Sequence, residues 1–316
     1  MRKLIPTVAA LALLSTALFA QGTAGKAKLA HQTDDKNAPV VYLVKDISTA
    51  GLMKAYRALG QKIDGKVGIK VSFGARGEDV LDPKLLADLA KATGGTLLDA
   101  SGLSASRATA AQNYTLAREN GFGAVAPLDM IDEDGDIDMP VTGGYFLKYA
   151  RTGKHLDNYG TLVAIHRFKA HHLPIYGGNM KNLALNLSSV SGKAIIHSAG
   201  ADERRFRQLD DDTTAKAFAD AAKAAMDYKK GRWAFVNVLD SLNPADGCGA
   251  KNLGDIGILA SLDPVAIDQA ACDLVYGAAP DSATREKWET YHSTRMLGYA
   301  EKIGVGKRHY RLVVME

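Results

Sequence analysis

The stretch KVGIKVSFGARGEDVLDPKLLADLAKATGGTLLD, residues 66–99, decides the fold. Residues 66–73 are mostly apolar and predict a strand, residues 83–92 have the spacing of a helix, and residues 96–99 predict a second strand. A strand, a helix and a second strand in this order form a unit whose two strands run parallel in one sheet.

The same alternation continues on both sides of this stretch. Strands are predicted at 40–44, 123–127, 159–166, 233–239 and 255–260, and helices at 49–63, 105–120, 181–189, 213–229 and 264–276. Residues 136–141 and 145–151 predict a β-hairpin insertion. We therefore expect an α/β fold with a mainly parallel sheet and flanking helices, built as one body or as two lobes.

The N-terminus predicts export. Arg2 and Lys3 precede an apolar run over residues 4–20, and small residues follow up to Ala24. This order is typical of a cleaved secretory signal peptide, here 1–24, because the run is short for a membrane span. Residues 25–39 predict a flexible leader, residues 40–316 the body, and the expected location is periplasmic or secreted, without a membrane anchor after cleavage.

The charge and the cysteine count exclude some functions. The chain has a net charge of +4, and loss of Arg2 and Lys3 lowers it to +2, which gives no electrostatic reason to bind nucleic acid. Cys248 and Cys272 are too few for a fold built on disulfides. The two cysteines either pair with each other in an oxidising compartment, or Cys272 is simply packed in its helix.

An acidic stretch at residues 132–138 has two interpretations. An EF-hand loop needs glycine at its sixth position, whereas here Gly135 falls at the fourth and Ile137 at the sixth. The alternative is a hairpin turn, because Asp-Gly suits a two-residue connection. The sequence favours the turn.

Two loops are candidates for a ligand site. The loop of residues 73–77 follows a predicted strand and holds Arg76 between two glycines, which suits close approach to an anion. The loop of residues 171–181 also follows a strand, near Phe168, and contains Gly177, Gly178 and Lys181. We expect both loops to leave the same edge of a common sheet.

Histidines gather around the second loop. His171 and His172 precede the two glycines, and His197 lies in the next segment. Histidine is the commonest metal ligand and the usual proton carrier near neutral pH, so His171 and His197 are predicted metal ligands, with His172 as an alternative to His171. His155, His166 and His292 lack such company and are interpreted as structural or exposed.

A second candidate segment covers residues 255–269. Asp263 precedes Pro264 and is the expected N-cap of a helix. Asp268 lies inside the apolar part of that helix, where a carboxylate is costly unless it is paired. It either faces a site or bonds a neighbouring loop.

These segments together resemble the domain of unknown function 362 family, in its branch labelled as uncharacterised iron–sulfur-centre proteins. The matching stretches lie at 41–47, 71–77, 168–171, 177–182, 192–198 and 255–268. Members of the family carry a cysteine-rich, ferredoxin-like insert after the segment that matches 192–198, but residues 199–212 here contain no cysteine. We therefore expect no intrinsic iron–sulfur cluster, which normally takes four thiolates. Histidines that relatives carry near the positions of Ser72 and Asn113 are also replaced.

A more distant similarity to the lactate racemase family implies a chemistry. That family uses a nickel-pincer nucleotide, and its pattern also contains a histidine, a lysine after a glycine turn, and a later histidine. The resemblance implies a proton-transfer base at His171, a cofactor-attached lysine at Lys181 and a metal ligand at His197. No evident partner exists for that family's other catalytic histidine.

Two functions remain open from the sequence. The first is an enzyme of proton-transfer or redox type that binds a small ligand with a metal or cofactor between the two loops. Lys181, Gly177, Gly178 and Arg76 would then bind the cofactor, and nickel, zinc or copper would suit the imidazole ligands. The second is a non-catalytic periplasmic accessory protein that holds a metal or small anion in the same cleft.

Overall fold

Eight strands form one sheet in the part of the chain that the computed structural model describes, which is residues 28–74, 80–169, 177–241, 254–279, 281–291 and 294–316. In spatial order these strands are β10 (Arg311–Met315), β1 (Val40–Val44), β9 (Gly257–Ser261), β8 (Trp233–Leu239), β7 (Thr161–Arg167), β2 (Val67–Lys70), β3 (Thr96–Asp99) and β4 (Leu128–Met130).

The sheet is mainly parallel. Only β9 runs antiparallel to its two neighbours, β1 and β8, while the other neighbouring strands pair in parallel. Two further strands, β5 (Asp136–Pro140) and β6 (Tyr149–Gly153), form a separate antiparallel hairpin. The predicted α/β fold, the mainly parallel sheet and the hairpin insertion are therefore confirmed.

Helices cover both faces of the sheet. They are α1 (Thr49–Ala58), α2 (Ala87–Thr93), α3 (Ala110–Glu119), α4 (Asn179–Lys181), α5 (Val190–His197), α6 (Asp211–Tyr228), α7 (Pro264–Gly277), α8 (Ser282–Tyr291) and α9 (Arg295–Lys302). Apolar residues of α1, α2 and α3 pack on one face, and those of α5, α6, α7 and α9 pack on the other. Every residue of β8 is buried, as expected for a strand that is covered on both sides.

Side-chain caps fix where several helices begin. The hydroxyl of Ser48 accepts a hydrogen bond from the backbone N–H of Gly51 at the start of α1. Thr109 and Gln112 form a reciprocal capping box at the start of α3. Asp263 caps α7 just before Pro264, as predicted. Each cap stabilises its helix by about 1 kcal/mol.

Three local predictions were wrong in detail. Residues 123–127 do not form a strand, because Phe122–Ala124 form a 3₁₀ turn and β4 begins only at Leu128. The helix expected at 181–189 begins earlier as α4 and continues as a π-helix over Asn182–Asn186. The hairpin connection is not the acidic stretch either. A turn there joins β4 to β5, whereas residues 141–148 connect the two strands of the hairpin.

The described part of the predicted leader contacts the body. The backbone N–H of His31 donates to Oδ2 of Asp273 at 3.0 Å, and Gln32 forms a parallel bridge with Tyr310 beside β10. Residues 31–33, within the segment predicted as a leader, are therefore bonded to α7 and the sheet. The predicted signal peptide lies outside the described residues. None of the described helices has the length and apolarity needed to cross a membrane.

Candidate functional site

The strand order reverses between β2 and β7. From β2 the chain adds β3 and β4 on one side, and from β7 it adds β8 on the other. Because β2 and β7 are parallel neighbours, the loops that follow them leave the same edge of the sheet, as predicted. Open α/β sheets bind ligands at this kind of position, outside the carboxyl ends of the strands.

A buried ion pair lies at the end of β2. Lys70 is 1 % exposed, and its Nζ donates to Oδ1 of Asp99 at 3.0 Å and to Oδ1 of Asn182 at 3.2 Å. Nη2 of Arg107 donates to the other oxygen of Asp99 at 2.7 Å. Burial alone would raise the pKa of Asp99, but the charges of Lys70 and Arg107 outweigh burial and lower it. Asp99 is therefore an ionised anchor for two cations.

The segment from Gly177 onward is fixed against the sheet from two sides. Gly177 bridges Lys169, and a Cβ atom added to Gly177 would lie 2.7 Å from the Lys169 carbonyl oxygen, which explains the glycine. The fully buried Asp268 of α7 accepts hydrogen bonds from the backbone N–H groups of Asn179 at 2.9 Å and Met180 at 2.7 Å. Burial raises the pKa of Asp268 to about 7, although these bonds oppose the shift. Of the two interpretations of Asp268, the bond to a neighbouring loop is the correct one.

His166, interpreted from the sequence as structural or exposed, lies in a buried polar environment. It lies at the end of β7, and its Nε2 is buried without a hydrogen-bond partner among the described residues. Burial, and then the charges of Lys181, Lys169 and Lys70, lower the pKa of His166 to about 3, so the imidazole is neutral at pH 7. The signal in the sequence was its place near the carboxyl end of an apolar central strand.

Two buried asparagines lie beside His166. Nδ2 of Asn179 donates to Oδ1 of Asn237 on β8 at 3.0 Å, and Oδ1 of Asn182 accepts from Lys70 on β2. The remaining polar atom of each amide, Oδ1 of Asn179 and Nδ2 of Asn182, has no partner within the described part of the chain. We call His166, Asn179, Asn182, Lys70 and Lys181 the edge site.

The predicted site residues are only partly described. Gly177 and Gly178 are buried at the start of α4, and Lys181 lies at its end. The charge of Lys181 lowers the pKa of His197 as well as that of His166, after burial, so Lys181 lies near both rings. Arg76, His171 and His172 lie outside the described residues, as does Cys248. Cys272 is fully buried in α7.

The ring of His197 has aromatic neighbours. It meets the ring of Phe206 edge to face at 5.3 Å between centroids, and the ring of Phe218 at 5.5 Å. Burial is the main cause of its lowered pKa, so the ring is neutral and can supply a nitrogen ligand.

A second buried lysine, Lys193, lies in α5. Its Nζ donates to the carbonyl oxygen of Ser101 at 2.6 Å and to that of Ser188. Burial lowers the pKa of Lys193 to about 7. Ser101 and the residue after Ser188, Ser189, line a surface cleft of about 610 Å³. Nothing in the sequence marks Lys193 as buried, because a lysine in a helix is usually solvated.

A group of possible metal ligands lies away from the edge site. Asp129, Glu133 and His155 each offer a ligand atom, and these atoms lie within 4.8 Å of one another. His155 already bonds Asp129 through Nδ1 and Asp134 through Nε2, both at 2.8 Å. The structural role predicted for His155 agrees with these bonds, and the same three donors could hold a cation.

Comparisons with known proteins give one family and several distant structural likenesses, of which two are described. The lactate racemase apoprotein from Thermoanaerobacterium thermosaccharolyticum is 14 % identical with a TM-score of 0.48, over 75 % of this chain and 57 % of that one. A protein from Thermotoga maritima is also 14 % identical with a TM-score of 0.47, over 72 % of this chain and 57 % of that one. The chain thus matches little more than half the length of either structure, and no curated protein matches its sequence. The family profile described as domain of unknown function (DUF362) matches residues 67–273, and the chain belongs to that family.

Proposed function

We propose that the protein binds a small anionic ligand or cofactor at the edge site, between the carboxyl ends of β2 and β7. One observation carries the proposal. The buried ammonium of Lys70 donates to Asn182 at the carboxyl end of β2, and Nε2 of His166 is buried near the end of β7 without a hydrogen-bond partner among the described residues. The charges of Lys169 and Lys181 add to the lowering of the His166 pKa, so this edge, at which α/β sheets bind ligands, is rich in cationic side chains.

The electrostatics favour an anion over a bare metal ion. At a separation of about 8 Å and an effective dielectric constant near 20, each lysine charge contributes roughly 2 kcal/mol per unit of ligand charge. Of the two buried carboxylates beside the site, Asp99 is already paired with Lys70 and Arg107, and burial raises the pKa of Asp268 to about 7. A divalent cation without its own anionic ligands would therefore be repelled, and an anion would be attracted.

A metal carried inside an anionic cofactor remains compatible with this field. His197 would supply a neutral nitrogen ligand near Lys181, and the predicted candidates are nickel, zinc and copper. The proposed contributions of Arg76 and His171 belong to this second candidate. We also propose that the protein works in the periplasm or outside the cell, which amino-terminal sequencing of the protein from fractionated cells would test.

The neutral His166 ring is a weak base while its pKa is about 3, and it can accept a proton only if a bound anion raises that pKa. An enzyme of proton-transfer type and a non-catalytic binding protein therefore share this geometry. Exchange of a ligand C–H hydrogen with deuterated solvent distinguishes them. An enzyme exchanges it at a rate that His166→Gln lowers at least tenfold, whereas an accessory protein exchanges nothing.

Titration calorimetry tests the proposal itself. Inorganic phosphate, sulfate and acetate are each titrated into the wild type, into Lys181→Met and into the matched control Lys91→Met, since Lys91 is exposed on α2. We expect at least one anion to bind, and Lys181→Met to weaken it about tenfold, which equals about 1.4 kcal/mol. The control should bind as the wild type does. If no anion binds, or if both variants behave alike, the proposal is wrong.

Elemental analysis tests the metal-bearing form. Protein purified from its native cells is compared with His197→Ala from the same cells. Metal that is present in the wild type and lost in the variant supports the cofactor, while equal metal content in both excludes His197 as its ligand.

A further inference from the structure

Three buried polar atoms near the carboxyl end of β7 have no hydrogen-bond partner within the described part of the chain. They are Nε2 of His166, Oδ1 of Asn179 and Nδ2 of Asn182. Asn179 and Asn182 are 0 % and 1 % exposed. Buried polar atoms normally have a partner, so three such atoms in one place indicate a missing ligand or internal water.

Strand pairing brings the three atoms together. Asn179 is bonded to Asn237, which is the register partner of His166 on the neighbouring strand β8. Asn182 is bonded to Lys70 on β2, the neighbour of β7 on its other side. Lys70 is the register partner of Ala164, which lies two residues before His166 and points to the same face of the sheet. Both amides are therefore bonded to side chains on the face of the sheet that carries His166.

The hydrogen-bond partners that the atoms already have decide what each one needs. Nδ2 of Asn182 is a donor, because its oxygen is occupied by the Lys70 ammonium. Oδ1 of Asn179 is an acceptor, because its Nδ2 donates to the carbonyl oxygen of Val236 and to Asn237.

The His166 ring completes the set. A hydrogen bond to the Gly177 backbone raises the pKa of the His166 ring. A carbonyl oxygen that accepts a ring N–H has this effect, because it stabilises the protonated ring. A neutral imidazole has one donor and one acceptor nitrogen, so Nε2 is then the acceptor.

One donor and two acceptors in a positive field do not suit every anion. We propose, on the basis of the proposed function above, that the edge site selects an oxyanion that keeps an O–H group at neutral pH, with inorganic hydrogen phosphate as its simplest form. Asn182 donates to a charged oxygen of this ligand, and the single O–H of the ligand donates to one of the two acceptors, Nε2 of His166 or Oδ1 of Asn179. Sulfate has the same shape but no proton, so it would turn oxygen lone pairs toward both acceptors.

The edge site should discriminate strongly between hydrogen phosphate and sulfate. A site that contains buried polar groups rejects a ligand that leaves them unpaired, by much more than the loss of a methylene group would cause. We expect hydrogen phosphate to bind about tenfold to a hundredfold more tightly than sulfate.

Titration calorimetry at about pH 8 tests the selection with three probes: inorganic phosphate, sulfate and methyl phosphate. Phosphate monoesters lose their last proton near pH 6, so methyl phosphate then has no O–H and should bind as weakly as sulfate. This comparison needs no variant. It also separates free phosphate from an esterified source, because tight binding of the ester would overturn the proposal.

Variants assign the selection to residues. His166→Phe removes the ring acceptor and should bring the phosphate-to-sulfate ratio toward one, whereas Asn182→Ala removes the donor and should weaken both anions alike. His309→Phe, at an exposed histidine, is the matched control and should keep the wild-type ratio. Circular dichroism checks that each variant is folded.

The outcomes separate the two proposals. If sulfate binds the wild type as tightly as phosphate, the selection is wrong, internal water satisfies the three atoms, and the edge site remains an anion site. If none of the probes binds and acetate also fails, the proposed function and the selection are both wrong.

Discussion

Nζ of Lys70 lies 3.0 Å from Oδ1 of Asp99, and the two side chains are 1 % and 2 % exposed. The pair joins the ends of β2 and β3, and Arg107 adds a second cation to the same carboxylate. Two charged strand ends are thereby held together at the edge of the sheet where the proposed ligand binds. The ion pair thus fixes the strand ends that carry the edge site.

Removal of Asp99 should be among the most costly single changes in this protein. Asp99→Ala leaves Lys70 and Arg107 without their carboxylate, and we expect a loss of about 3–5 kcal/mol in the free energy of unfolding. Lys70→Met should cost less, because Arg107 still neutralises Asp99. Urea denaturation followed by circular dichroism measures both.

The matched control is an exposed ion pair. Arg285 and Glu289 on α8 are 47 % and 45 % exposed, so Glu289→Ala should cost less than about 1 kcal/mol. Equal losses for Asp99→Ala and Glu289→Ala would contradict the role given to the buried pair.

Two glycines in helices should respond to alanine in opposite directions. A Cβ atom on Gly192 of α5 would lie 2.0 Å from the backbone oxygen of Arg151 on β6, so Gly192→Ala should destabilise by about 3 kcal/mol. On Gly298 of α9 the nearest atom would be the flexible end of Arg308 at 3.7 Å. Gly298→Ala should therefore stabilise by about 0.5–1 kcal/mol. Thermal unfolding of both variants checks the difference, and a stable Gly192→Ala protein would show that α5 can move from β6.

The strands were the most predictable part of the fold. The bounds predicted for the strands at 96–99 and 233–239 are those of β3 and β8, because each is an apolar run that stops abruptly. The apolar residues at 123–127 misled the prediction, since a short apolar run also fits a 3₁₀ turn packed against the core. Periodicity does not distinguish the two.

The edge site was predictable only in its location. The glycine turn and the histidines indicated the loop after β7, but nothing local marks Lys70, Asn182 or His166 as buried partners. Lys70 and Asn182 are 112 residues apart in the chain and meet only because β2 pairs with β7. A lysine at a strand end is expected to be exposed unless its ion-pair partner, here Asp99, is known.

Lys193 should make stability depend on pH above neutrality. Its folded-state pKa of about 7 is below the value of about 10.4 in an unfolded chain, so between these values the unfolded state binds more protons. The contribution of Lys193 to the free energy of unfolding should therefore increase as the pH rises from about 7 toward 10. Urea denaturation at several pH values measures the slope. Lys193→Met should flatten the slope, whereas Lys91→Met on the surface should leave it unchanged. An identical slope in Lys193→Met would show that the Lys193 pKa is not depressed.

Asp268→Asn should be costly although the two side chains have nearly the same shape. The carboxylate accepts three N–H groups, those of Asn179 and Met180 from the backbone and that of the Asn237 amide. An asparagine has only one oxygen, so its NH₂ group must face at least one of these donors in a buried place. At about pH 8, above the pKa of Asp268, we expect a loss of about 2–3 kcal/mol in the free energy of unfolding.

Asp88→Asn on the exposed surface of α2 is the matched control and should change stability by less than about 1 kcal/mol. Ligand binding supplies a second measurement, because two of the three donors that Asp268 holds belong to the segment that carries Asn179 and Lys181. If the segment depends on Asp268, the variant should bind the anion at least tenfold more weakly even where it is fully folded. A variant that folds and binds as the wild type does would show that Gly177 and the bridge to Lys169 are enough to fix the segment.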